Sequence, residues 1–99
     1  MVRVNWTLQA KEDLQSIANY ISRDSKRYAR LQVLRLKNRT SILKSQIQIG
    51  HIVKEINNKN TRELIEGRYR IIYKIVSKNQ IDILTIHHSA RDITKRTIE

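Results

Sequence analysis

The last third of the chain gathers the residue types that can do chemistry. From Arg62 it reads Arg-Glu-Leu-Ile-Glu-Gly-Arg-Tyr-Arg-Ile-Ile-Tyr-Lys-Ile, and from Ile81 Ile-Asp-Ile-Leu-Thr-Ile-His-His-Ser-Ala-Arg-Asp. Arginines, tyrosines and histidines stand at the ends of apolar runs. Cations and titratable rings fixed on a rigid sheet could hold a phosphate or a partner protein. Metal-independent cleavage of RNA would need a base for the 2′-hydroxyl, an acid for the leaving oxygen and cations for the phosphorane charge. His87 and His88 are candidates for the proton transfers, because a free imidazole titrates near ~6.5. His51 is a third. The same residues have ordinary uses. Tyr69 and Tyr73 share a strand face with two isoleucines, as core aromatics do. His87 and His88 point to opposite faces if their strand continues. Arg70 could pair with Glu63 or Glu66 across a hairpin. No metal motif accompanies these residues, and no cofactor is expected.

The elements that must position them follow from periodicity. Val2, Val4 and Trp6 alternate with polar residues, which predicts a first strand. Thr7 can cap a helix beginning near Leu8, and Ala10, Leu14, Ile17, Ala18 and Ile21 form its apolar stripe. Asp24-Ser25 interrupts the pattern and offers a new N-cap. A second helix is predicted from about Lys26 to Ile47, with Ala29, Val33, Leu36, Thr40, Leu43 and Ile47 on one face. Leu31, Leu34 and Ile42 lie off that face. Gly50 is placed to end the helical region. Strands are predicted over Ile52–Ile56, Arg62–Glu66, Arg68–Val76 and Gln80–His87, with turns at Asn57–Asn60, Glu66-Gly67 and Ser77–Asn79. The expected fold class is α+β: an N-terminal strand, an α-helical hairpin, then a three- to four-stranded antiparallel sheet.

Composition narrows the partners. Ninety-nine residues suggest a single domain over 1–99. There is no cysteine, hence no disulfide or thiolate chemistry. The opening Met1–Trp6 carries no apolar signal-peptide core and no run reaches membrane-spanning length, so a cytoplasmic location away from the membrane is expected. Twenty Lys and Arg oppose nine Asp and Glu, a net charge of +11. From Ser25 to Lys54 there is no acidic residue, while Lys26, Arg27, Arg30, Arg35, Lys37, Arg39, Lys44 and Lys54 are basic. So one-sided a field favours polyanionic or acidic partners. The surplus apolar positions of the helical hairpin add a surface that needs a cover. Arg30, Arg35, Arg39, Leu31, Ile42, Ile49 and Arg62 are the candidate partner-binding residues.

The order of elements resembles the RelE/ParE superfamily of bacterial toxins. The resemblance is carried by Ala10, Asp13, Leu14, Ile17 and Tyr20-Ile21, by Arg62-Glu63-Leu64, by Tyr69-Arg70-Ile71-Ile72-Tyr73 and by His88-Ser89-Ala90-Arg91-Asp92. It implies the toxin of a type II toxin–antitoxin pair, neutralised by a cognate antitoxin protein. RelE-like members cleave messenger RNA on the ribosome; ParE-like members inhibit DNA gyrase. In the RelE-like case Arg70 and Arg91 match the family's phosphate-binding arginines, and His87 or His88 would serve the proton transfers. Two departures weigh toward ParE. An acid, Glu63, stands where RelE-like nucleases carry lysine, and no tyrosine follows Tyr73. The expectation is therefore a ParE-like toxin acting on DNA gyrase, with a ribosome-dependent mRNA endonuclease as the alternative.

Overall fold

The computed structural model describes residues 1–90. Among them the order is β1 (Arg3–Trp6), α1 (Leu8–Ser22), α2 (Lys26–Arg39), a 3-10 turn (Thr40–Lys44), β2 (His51–Ile52), β3 (Thr61–Glu66), β4 (Tyr69–Ser77) and β5 (Gln80–His88). The strands form one sheet in the order β1-β5-β4-β3-β2. The helical hairpin covers one of its faces.

Both helices begin where a side-chain oxygen can serve an orphan amide. The Thr7 hydroxyl accepts from the Ala10 amide at 3.2 Å, and Ser25 accepts from Tyr28 at 3.0 Å. Each such cap contributes about 1 kcal/mol. Thr7 has a second task. Its hydroxyl donates toward the Ile83 and Leu84 carbonyls, tying the start of α1 to β5.

The sheet is mixed, whereas the sequence pattern suggested antiparallel pairing alone. β1 runs parallel to β5, from Arg3 opposite Gln80 to Trp6 opposite Ile83. Alternation reveals a strand but not its neighbour, so the pairing had no local signature. Where β1 stops, Asp13 of α1 takes over the free edge of β5. Its carboxylate accepts from the Ile86 amide at 3.2 Å and from the Thr85 hydroxyl.

The second helix is shorter than its apolar stripe suggested. The stripe itself faces inward: Ala29, Leu36, Thr40 and Leu43 are buried, and Val33 and Ile47 pack at its margin. The α-geometry nevertheless ends at Arg39. Thr40 and Ser41 each turn the hydroxyl back to the carbonyl three residues earlier, both at 2.7 Å. That back-bonding competes with the helical ladder and favours the tighter turn. The strand expected over Ile52–Ile56 is likewise reduced to His51–Ile52, because the amides of Ile56 and Asn57 fold back onto the Val53 carbonyl. Asn57 sits at φ 54°, which asparagine tolerates better than most residues.

β4 is the central strand. Its residues Tyr69, Ile71, Tyr73 and Ile75 face the helices, packing with Leu14, Leu36, Leu43, Ile81 and Ile83. Ile72 faces the other way, in a small cluster with Val53 and Leu84. A register shift opposite Ile72/Tyr73 leaves Leu84 as an extra residue of β5. This bulge lets Ile83 and Ile86 both serve the helix-side core. Gly67, at φ 59°, opens the two-residue turn between β3 and β4, a conformation that suits glycine at that position.

The connection from the 3-10 turn to β3 is held by buried polar groups. The Tyr73 hydroxyl, on a fully buried side chain, donates to the Ile47 carbonyl at 2.8 Å and accepts from the Gly50 amide at 2.9 Å. Burial pushes its pKa upward, so it stays neutral and remains a donor. At Gly50 a Cβ would stand 2.6 Å from the Glu63 carbonyl oxygen and 2.7 Å from Tyr73 Cε1, leaving room only for glycine. Tyr73→Phe is expected to cost about 1–3 kcal/mol, since it leaves a buried carbonyl and amide unpaired. Urea denaturation should show a lower midpoint with unchanged slope. An unaltered midpoint would mean that the loop is held by other contacts.

Candidate functional site

The four residues singled out for phosphate chemistry do not form a free catalytic group among the described residues. Arg91 lies outside them. His87 and His88 fall on opposite faces of β5, as strand alternation requires. His88 packs edge-on to Tyr69, with ring centroids 5.5 Å apart. His87 is buried and opposes Arg70 across the β4–β5 ladder, so both belong to the sheet face away from the helices. His51 is exposed and opposes Glu63 on β3.

Arg70 is engaged on both sides of its guanidinium. Glu63 receives Nε at 3.1 Å and Nη2 at 2.6 Å. Glu55, from the turn after β2, receives Nη1 at 2.9 Å and Nη2 at 3.0 Å. These are two-pronged pairs that match planar guanidinium to planar carboxylate. The arginine and Glu63 side chains are only 13% and 12% exposed, so solvent screens the pair weakly. The Arg70 hydrogen bond pulls the Glu55 carboxyl down from an ordinary 4.5 to about 2, and the proximity of His87 adds in the same direction. The two carboxylates in turn hold Arg70 protonated more firmly than a free guanidinium. A group saturated in this way is a poor phosphate clamp. Its chemistry here is structural: it fastens the turn carrying Glu55 over Val53, Ile72 and Leu84.

Arg62 is also committed to the fold. Its Nε donates to the Lys59 carbonyl at 2.9 Å, and Nη1 donates to those of Gln48 and Gly50 at 3.2 and 3.0 Å. Arg39 reaches β3, where its Nε meets the Ile65 carbonyl at 3.2 Å beyond the short β2 edge. Ile42 is partly buried against the helix-side core. Four of the seven candidate partner-binding residues are open to solvent. Arg30, Leu31 and Arg35 lie on α2, and Ile49 stands just before β2. Leu31 and Leu34 are 39% and 54% exposed. They form an uncovered apolar strip among Arg27, Arg30, Arg35 and Lys37. Of the three surplus apolar positions of the helical region, Leu31 and Leu34 are therefore exposed and Ile42 is not.

The family model of the ParE toxin of the type II toxin–antitoxin system parDE matches residues 4–93. The chain belongs to the ParE toxin family. No curated protein matches the sequence. A solved structure described as the chromosomal ParDE TA system from P. aeruginosa superposes with a TM-score of 0.74 at 23% identity, covering 89% of this chain and 96% of that one. At that identity the likeness speaks for the fold. The ParE toxin family and the α+β architecture thus agree with the expectation from sequence. Among the described residues, no helix of this ParE-family chain is long and apolar enough to cross a membrane.

Sequence reasoning anticipated that Arg70 could be half of an ion pair but did not see Glu55. That residue is brought in by a turn with no regular spacing to β4. The only signal was its position as the first acid after a long basic stretch. Because folding depresses the Glu55 pKa, its contribution is complete above about pH 4.5 and fades as the pH falls toward 2. The stability difference between the parent chain and Glu55→Gln should therefore shrink through that window in denaturation measured at successive pH values. A difference that stays constant would place the stabilisation elsewhere. Arg70→Ala, which leaves two carboxylates facing each other, should cost roughly 3 kcal/mol in the same assay at neutral pH.

Proposed function

We propose that this ParE-family toxin arrests growth by binding DNA gyrase, without catalytic turnover of its own, and that a cognate antitoxin neutralises it. The observation that carries this reading over mRNA cleavage is the state of Arg70. The arginine best placed on the sheet to hold a phosphate is filled by Glu63 and Glu55. What the molecule offers in its place is a binding surface. The outer side of α2 combines Leu31 and Leu34 with Arg27, Arg30 and Arg35, and the helix holds no acid. An antitoxin segment with acidic and apolar residues complements both properties and would order on binding.

Induction of the gene alone should halt growth, and co-expression of the small protein encoded beside it should restore growth. Purified toxin should inhibit supercoiling by gyrase or trap the enzyme on plasmid DNA. Primer extension on cellular messages should show no new codon-positioned ends. New ends with untouched gyrase would replace this reading with the nuclease one. Leu31→Asp together with Leu34→Asp should weaken antitoxin binding by at least about a hundredfold, since two leucines each contribute roughly 1.5–3 kcal/mol when buried. Unchanged affinity would move the antitoxin off this face.

A further inference from the structure

Next to the outer strip of α2, and sharing Arg35 with it, a wide cleft opens between the tip of the helical hairpin and the β3–β4 turn. Its volume is about 1590 Å³, beyond the roughly 300–1,000 Å³ of pockets for small molecules. Among the described residues three guanidiniums line it, from Arg23 at the end of α1, Arg35 on α2 and Arg68 in the turn. All three residues are exposed, and none has a carboxylate partner among the described residues. Two acids of the described residues share the lining. Asp13 is engaged with Thr85 and Ile86, and Glu66 is the other. Aromatic rings are interleaved with the charge. Tyr20 and Tyr28 are 69% and 47% exposed. The Arg23 guanidinium carbon lies 5.8 Å from the centroid of the Tyr20 ring.

We propose that this cleft binds a single-stranded nucleic-acid segment, with the arginines on successive phosphates and the faces of Tyr20 and Tyr28 against bases. Arginine forks match phosphate oxygens two at a time. Open aromatic rings beside a cationic groove are the usual platform for unpaired bases, because every base presents a π-face. An acidic peptide would satisfy the guanidiniums but would leave the two exposed rings without a planar partner. The cleft is also too large and too open for a lone nucleotide. The inference goes beyond growth arrest and does not depend on gyrase or an antitoxin.

The test is fluorescence anisotropy of a labelled twelve-nucleotide oligo-dT with the purified full chain. Binding should fall with salt at a log–log slope of about −2, as three phosphate contacts on a single strand require. Arg23→Glu and Arg68→Glu should each weaken binding about tenfold or more. Lys78→Glu makes the same charge change in the turn at the far end of β4 and should change it less than about threefold. Tyr20→Ala and Tyr28→Ala should each cost about fivefold or more. Thermal melting confirms that the variants are folded, and Arg68→Gln provides a milder second substitution. The proposal is overturned by no detectable binding at low salt. Equal losses in Lys78→Glu and Arg68→Glu also overturn it, by showing diffuse attraction to a basic surface. So does tighter binding of a polyglutamate peptide with the same variant dependence, which would assign the cleft to an acidic partner. None of these results bears on whether the toxin arrests growth.

Discussion

The architecture depends on fastening residues 45–60, the stretch between the helical layer and β3. This segment contains only the two residues of β2 as regular structure. It carries the chain from one layer to the other, and its backbone groups must find partners outside a ladder. Three side chains supply them. The Tyr73 hydroxyl binds the segment at Ile47 and Gly50 from the helix side of β4. Arg62 of β3 gathers the carbonyls of Gln48, Gly50 and Lys59. Arg70, on the opposite face of β4, holds the following turn through Glu55. Val53 then closes its apolar side against Ile72 and Leu84.

This constraint bears on function as well as folding. A guanidinium is valuable wherever several oxygens must be held in fixed directions. The same property makes arginine a phosphate ligand and a backbone clasp, and sequence alone does not separate the two. In this chain the arginines on the inner strands act as clasps. Among the described residues the exposed arginines, Arg3 on β1 apart, sit on the helical hairpin and in the β3–β4 turn. Most free guanidiniums are thereby displaced from the sheet face, where a nuclease reading would need them, and Lys74 is the exposed cation that β4 keeps there.

Much of this was legible in local pattern. The period of two in β4 correctly separated Tyr69, Ile71 and Tyr73 from Arg70 and Ile72, and the helical stripe of α2 marked its core face. Thr7 and Ser25 announced both helix starts. What escaped were features fixed by distant parts of the chain. The parallel pairing of β1 depends on which edge of the sheet is free. The early end of α2 depends on whether Thr40 and Ser41 choose their own backbone over the ladder. Glu55 reaches Arg70 only because the amides of Ile56 and Asn57 fold back on Val53. The tip tyrosines were nearer to hand. Tyr20 and Tyr28 flank the Asp24-Ser25 break, so a hairpin there had to bring both rings to one end.

The start of α2 shows a conflict between local stability and surface charge. A helix N-terminus carries partial positive charge and favours acids in its first turn. Here the first turn holds Lys26 and Arg27 and no acid. The Ser25 cap and the burial of Ala29, Gln32, Leu36 and the 3-10 residues beyond counteract that choice. Lys37 and Arg39 at the other end agree with the dipole, so the helix is basic throughout and not merely where charge helps it fold. A residue choice that opposes local stability without serving the core is expected where a surface is shaped by what it meets. Both faces assigned to partners, the Leu31–Leu34 strip and the cleft beside Tyr28, flank this unfavourable start. The charge that destabilises the first turn of α2 in isolation is the charge that an anionic partner would neutralise, so occupancy of either face should stabilise the hairpin that presents it.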